Sequence, residues 1–191
     1  MGDNGSGGEV EGLVRELEAV GREAREVFGR LSAAQLNWKQ SAERWSVGQC
    51  FDHLITTNRS FFPDMERVAS GKHQNTLWAN VSPFSGFFAR YILGALDPVK
   101  GRKIKAPRAF LPAESGVDAE VIGRFEGNLS EVSARMRATG GVDLRRTVIS
   151  SPAMGLVTYS LLDAYRIFVA HARSHFGQAR RVTEAEGFPA A

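Results

Sequence analysis

Apolar side chains recur at three- and four-residue steps along four stretches of the chain. The first stretch has them at positions 10, 13, 14, 17, 20, 24, 27, 28 and 31, which is the spacing of one face of an α-helix. The second follows a capping box of Ser46 and Gln49 and runs to about residue 69, with Pro63 expected to kink or divide it. A further capping box, of Ser32 and Gln35, predicts a short helical turn between the first two stretches. The third stretch spans residues 121–136, with Asp118 or Ser115 as its predicted cap. The fourth begins behind Ser160, which with Asp163 resembles a capping box, and runs to Gly187. Four such helices predict an all-α fold, and specifically a four-helix bundle.

The helical pattern breaks down between the second and third predicted helices. Residues 71–116 form a long irregular insertion, and a segment of this length is typical of a functional lid, a pocket wall or an interface. A short β-like run at 147–149 is either an extended linker or one strand of a small hairpin. The glycine-rich residues 1–8 predict a flexible N-terminal tail. Residues 9–187 then suit a single domain.

The composition of the chain limits the kinds of partner and the cellular compartment that we expect for this protein. The 24 basic and 21 acidic residues leave a net charge of only +3, so no strong field favours nucleic acid as a partner. The longest apolar stretch, residues 84–96, is interrupted and too short to span a bilayer, which argues against a membrane protein. The single cysteine, Cys50, excludes an internal disulfide, and no apolar signal core follows the first methionine. We therefore expect a cytoplasmic protein.

The chemistry-bearing pattern is a pair of histidines on the fourth predicted helix. His171 and His175 are four residues apart, which places them on one helix face about 6 Å apart along the axis. A third histidine, His53, lies on the apolar stripe of the second predicted helix. Three imidazoles from packed helices can hold one cation and leave a fourth position open, as catalytic zinc sites do. The alternative is that these rings face solvent or hydrogen-bond within the protein.

Other polar residues lie near these histidines in sequence. Gln178 shares their helix face, where it either orients a ligand or water or is a satisfied polar residue near a helix end. Gln49 lies one turn before His53, but its distance from Ser46 makes capping its expected role. Cys50 can reach a metal, although burial as a small hydrophobe is more common. No catalytic acid stands out among the nearby carboxylates, which are Asp52, Asp64, Glu66 and Asp163.

Two segments carry a family resemblance. LSAAQLNWKQSAERWSVGQCFDHLITTN and LLDAYRIFVAHARSHFGQARRV resemble the DinB-like superfamily, including its YfiT-type members. In that family a Trp-Ser helix start is followed by a histidine, and a late helix carries His-x-x-x-His followed by Gln. The resemblance covers most of residues 10–186. It implies a four-helix bundle, often dimeric, in which His53, His171 and His175 bind a divalent metal such as nickel or zinc.

Three functions follow as expectations from the pattern and the resemblance. The leading one is a metal-dependent hydrolase acting on a small-molecule substrate, with water at the open position. The second is a metal-dependent thiol transferase or isomerase that uses a low-molecular-weight thiol, because mycothiol-dependent and bacillithiol-dependent enzymes resemble this fold. The third is a non-catalytic metal-binding bundle that works through dimerisation along residues 84–96.

Overall fold

The structure is a computed structural model that describes residues 4–75, 85–97, 107–114 and 116–190. Most of it is helical, and the remainder includes one β-hairpin. The elements in chain order are α1 (Asn4–Phe28), α2 (Ala33–Asn37), α3 (Val47–Ser60), α4 (Phe62–Ala69), α5 (Ser85–Ala95), a 3-10 turn (Arg108–Phe110), α6 (Val121–Ala138), β1 (Val148–Ser151), β2 (Met154–Ser160) and α7 (Leu161–Thr183).

Four long helices form the body of the molecule. Each of α1 and α3 packs against both α6 and α7, which is the arrangement of a four-helix bundle and confirms the predicted all-α fold. Aromatic rings tie three of these helices together. The Phe51 ring of α3 lies 5.3 Å from that of Phe28 on α1 and 4.9 Å from that of Phe125 on α6. All three side chains are fully buried, so their burial contributes strongly to the hydrophobic core.

Local sequence signals determine where α3 and α4 begin and end. The Ser46 hydroxyl accepts from the Gln49 N–H, and the Gln49 side chain accepts from the Ser46 N–H, both at 3.1 Å. This reciprocal pair is the predicted capping box. The helical run then divides at Phe61, and Pro63 lies in the first turn of α4, where the missing proline N–H costs nothing. The predicted interruption near Pro63 is thus confirmed.

The N-terminus differs from the predicted tail. Helix α1 begins at Asn4, so residues 4–8 are helical, while residues 1–3 lie outside the described residues. Glycine disfavours a helix by only about 1 kcal/mol per residue. The adjoining turn is anchored by Glu9, whose carboxylate lies 2.7 Å from Arg145 and 2.5 Å from Arg166. These ion pairs join the turn that follows residues 4–8 to the segment before β1 and to α7.

Part of the insertion between the second and third predicted helices is helical. The β-like run at 147–149 belongs to a strand of a β-hairpin. Within residues 71–116 the described part includes α5 and the 3-10 turn; residues 76–84, 98–106 and 115 lie outside the described residues. Strands β1 and β2 pair antiparallel, and β2 leads directly into α7. No helix among the described residues is long and apolar enough to cross a membrane.

Candidate metal centre

The three histidines meet between two packed helices. His53 lies on α3, whereas His171 and His175 lie on α7. The centroids of their rings are 4.7–5.0 Å apart in all three pairs. One ring nitrogen from each histidine lies within 4.8 Å of those of the other two. The helix packing therefore brings His53 to a pair of donors that lie more than a hundred residues further along the chain.

The tautomer of His53 follows from its hydrogen bond. Its Nδ1 lies 2.5 Å from the carbonyl oxygen of Phe110. A carbonyl only accepts, so Nδ1 carries the proton and donates it, and Nε2 keeps a free lone pair. That Nε2 lies 3.1 Å from Nε2 of His171. The nitrogen that can bind a cation therefore points at the second histidine.

The pKa values of all three rings are lowered, which favours neutral imidazoles at physiological pH. Burial is the main cause of the lowered pKa of His53, and the Phe110 carbonyl and the Asp52 charge oppose it. Burial and the two neighbouring imidazoles hold the pKa of His171 well below its ordinary value. Burial, reinforced by His53, lowers the pKa of His175 to about 3. Neutral imidazoles keep the lone pairs that metal binding requires.

One buried nitrogen of this group lacks a partner. His175 Nδ1 is inaccessible to solvent and has no hydrogen-bond partner among the described residues. Leaving such an atom unsatisfied costs about 1–3 kcal/mol. Gln178 raises the pKa of the same ring as a weaker, opposing influence, but it forms no hydrogen bond to Nδ1. A cluster of three neutral imidazoles with an orphaned nitrogen fits a divalent cation, for which imidazole is a preferred ligand.

Trp45 packs against two of the three histidines. Its ring is stacked on His175 at 5.5 Å with an interplanar angle of 19°, and it lies 4.9 Å from His53. Trp45 was not among the predicted site residues. A signal was present, because Trp45 immediately precedes the Ser46 cap, where an apolar residue typically packs onto the helix it precedes. The half-buried indole forms one wall of the site.

Gln49 and Cys50 take the more conventional of their expected roles. Gln49 caps α3, and its amide donates to the carbonyl oxygens of Ala113 and Glu114 at 2.8 and 3.1 Å. Cys50 is fully buried, which raises the pKa of its thiol to about 12, so it is not a thiolate at physiological pH. It is not among the grouped donors found in the described residues.

None of the four nearby carboxylates belongs to the group of three histidines. Asp52 accepts from the Ala113 N–H at 3.1 Å, and Asp64 forms an ion pair with Arg67. Asp163 lies 3.0 Å from Arg166 and also accepts from the Ser160 hydroxyl. Glu66 is exposed. Within the described part of the chain, no carboxylate joins the three-histidine group.

A sequence model of the DinB superfamily matches residues 16–179, a range that contains all three histidines. The match covers most of the chain and agrees with the helical bundle. No curated protein and no solved structure matches this chain.

Proposed function

This chain belongs to the DinB superfamily, and we propose that it is a metal-dependent enzyme in which His53, His171 and His175 hold one divalent cation. The observation that carries the proposal is the convergence of three neutral imidazole donors to within 4.8 Å of one another. Nickel and zinc are the cations we propose, because both accept imidazole nitrogen. Three protein donors leave one position of a four-coordinate ion for water or substrate.

Hydrolysis of a small molecule is the reaction we propose. When bound, a divalent cation supplies Lewis acidity, which activates water for hydrolysis and, by the same effect, a thiol for transfer. Burial of the rings favours the neutral donors. The Phe110 carbonyl accepts a hydrogen bond from the protonated Nδ1 of His53, which leaves the Nε2 lone pair of that ring available. Trp45 shields one side of the His53 and His175 rings from water.

Metal content tests the ligand assignment. We expect tag-free protein incubated with Zn²⁺ or Ni²⁺ and then desalted to retain about one ion per chain. The double variant His171→Ala, His175→Ala should retain none. The matched control is His73→Ala, because His73 is the remaining histidine and donates instead to the Val148 carbonyl at 3.0 Å. Equal metal content in wild type and the double variant would refute the assignment.

Substrate screening tests the reaction. The metal-loaded protein is offered chromogenic esters and amides, and in parallel an electrophile together with a low-molecular-weight thiol. Turnover of an ester or amide that is lost in His53→Ala and kept in His73→Ala supports the hydrolase. Turnover only in the presence of thiol would replace it with the transferase, and stoichiometric metal with no turnover in either assay would favour a non-catalytic bundle.

We also propose that the enzyme is a homodimer that acts in the cytoplasm. Four of the six large exposed hydrophobic residues in the described chain lie on two adjacent elements, α5 and β2: Phe87, Tyr91, Met154 and Leu156. Clustered exposed apolar side chains are typical of protein–protein contacts. The lone cysteine, which cannot form an internal disulfide, suits a reducing compartment.

A further inference from the structure

A segment of the insertion is bound along one face of α3. We call residues 107–114 the strap. Gln49 Nε2 donates to the carbonyl oxygens of Ala113 and Glu114 at 2.8 and 3.1 Å, and the Ala113 N–H donates to Asp52 Oδ2 at 3.1 Å. Gln49 and Asp52 are three residues apart, so they lie on the same side of the helix. Two side chains of α3 therefore hold the backbone of the strap near its C-terminal end.

The same strap contributes the acceptor for His53. Its 3-10 turn ends at Phe110, whose carbonyl oxygen lies 2.5 Å from His53 Nδ1. Gln49, Asp52 and His53 of α3 each form a hydrogen bond to the backbone of the strap. Phe110 itself is buried. The position of this carbonyl thus depends on a segment that is fastened three residues further along by Gln49 and Asp52.

We infer that the strap selects the tautomer and orientation of His53, and that Gln49 and Asp52 are positioning residues that act on His53 through it. With the Phe110 carbonyl in place, Nδ1 must be the protonated nitrogen and Nε2 must face His171. If the strap is released, both tautomers of a neutral imidazole become accessible and the ring can rotate. The inference rests on the proposed metal site, because it gives His53 Nε2 its role as a donor.

The substitution Gln49→Glu removes the hydrogen bonds to the strap but keeps the helix cap. A glutamate at this position still accepts from the Ser46 N–H, so the capping box remains. It cannot donate to the Ala113 and Glu114 carbonyls, and its charge repels them. An added negative charge near the site would by itself strengthen the binding of a cation. Weaker metal binding in Gln49→Glu therefore reports the loss of the contact with the strap and not the added charge.

The chain offers a matched control in a second capping box. Gln35 of α2 accepts from the Ser32 N–H at 2.9 Å, and its Nε2 donates to the carbonyl of Pro189 at 3.1 Å. Gln35→Glu therefore makes the same chemical change in the same local motif, but at a contact with the C-terminal segment. Both variants change the capping residue and add one negative charge, so a difference in their zinc affinity is not caused by either of these changes.

Two measurements test the inference. In the metal-free protein, nitrogen-15 NMR of the imidazole side chains reports which nitrogen of His53 is protonated. We expect protonation at Nδ1 in wild type and Gln35→Glu, and a mixture with Nε2 protonation in Gln49→Glu. In Zn²⁺ titrations against a competing chelator, we expect Gln49→Glu to bind about 10- to 100-fold more weakly than Gln35→Glu, as is usual when the partner of a metal-binding histidine is lost.

A second pair of variants covers the case in which Gln49→Glu does not fold. Asp52→Ala removes the acceptor for the Ala113 N–H, whereas Asp52→Asn keeps an oxygen that can accept it. We expect Asp52→Ala to show the mixture of His53 tautomers and weaker Zn²⁺ binding. Asp52→Asn should keep the wild-type tautomer and the wild-type Zn²⁺ affinity. Equal behaviour of Asp52→Ala and Asp52→Asn would overturn the inference.

The two readouts also distinguish this inference from the proposed function. Protonation of His53 at Nε2 in the metal-free wild type would overturn the inference even if zinc binds stoichiometrically. Unchanged zinc affinity in a folded Gln49→Glu would do the same. Conversely, if wild type retains no zinc or nickel while the expected tautomers are observed, the proposed metal site fails and the positioning of His53 by the strap stands.

Discussion

His171 and His175 share a face because an α-helix returns to the same side every 3.6 residues, and this holds for any chain that forms the helix. The ring of His53 depends on more than its own helix. Its hydrogen-bond partner is the carbonyl of Phe110, which is 57 positions away in the sequence. Asp52 of α3 accepts from the Ala113 N–H, three residues beyond Phe110. The orientation of the His53 ring therefore depends on how a distant segment is held against α3.

A prediction at the residue scale concerns Trp45. Aromatic pairs contribute about 0.5–1.5 kcal/mol each, and Trp45 makes two, with His53 and His175. We expect Trp45→Ala to weaken Zn²⁺ binding by about two- to tenfold, and Trp45→Phe to restore most of the loss. Competition titration with a zinc chelator measures both.

Trp38→Ala is the control for this prediction, because Trp38 packs edge-on against Phe188 with the ring centroids 5.5 Å apart. Its zinc affinity should match that of wild type. Equal losses in Trp38→Ala and Trp45→Ala would mean that any removed indole loosens the bundle, and would contradict a specific role for Trp45.

At the scale of elements, helix starts that carry a serine cap were predictable. Ser32, Ser46 and Ser160 each accept from the N–H three residues later, as their spacing predicted. Helix α6 is different. It begins at Val121 and has no side-chain cap, and Asp118, one of the two predicted caps, accepts from the Glu120 N–H at 3.0 Å in the preceding turn. The other predicted cap, Ser115, lies outside the described residues. Val121 and Ile122, the first two residues of α6, are both buried in the core.

A substitution at the cap of α7 tests how much a serine cap contributes to the free energy of unfolding. The Ser160 hydroxyl accepts from the Asp163 N–H at 3.1 Å. We expect Ser160→Ala to lower the free energy of unfolding by about 1 kcal/mol, because one N–H at the helix start loses its acceptor. Urea denaturation followed by circular dichroism measures the change.

The control for the cap is Ser130→Ala, in the exposed middle of α6. There the serine donates only to the Glu126 carbonyl of its own helix, and we expect a change within about 0.5 kcal/mol. A Ser160→Ala variant as stable as Ser130→Ala would show that packing, rather than capping, holds the start of α7.

At the scale of the whole molecule, the exposed apolar side chains of α5 and β2 bear on assembly. Phe87 and Tyr91 are one helical turn apart, and each is 55% exposed. If this surface is the interface of the proposed homodimer, a charge placed there must be desolvated on association. We therefore expect Tyr91→Lys to convert the dimer to a monomer in sedimentation equilibrium.

Val27→Lys serves as the control because Val27 is similarly exposed, at 50%, but lies on α1. It should sediment as wild type does. A wild-type protein that is monomeric at every concentration tested would contradict the homodimer, and a dimer that survives Tyr91→Lys would place the interface elsewhere.

The sequence by itself determined what depends on neighbours within a few turns: the four amphipathic helices, their serine caps, the interruption near Pro63, and the shared face of His171 and His175. These features arise from hydrogen bonds and side-chain periodicity over three or four residues.

The tertiary structure decided what depends on distant segments coming together. Packing of α3 against α7 brings His53 to the other two histidines, the strap determines its tautomer, and Trp45 closes one side. Helix α1 likewise begins at Asn4 despite the glycine-rich composition of its first turns, and its Glu9 forms ion pairs with Arg145 and Arg166. Such contacts join residues whose separation along the chain carries no periodic signal, so they exist only once the bundle has formed.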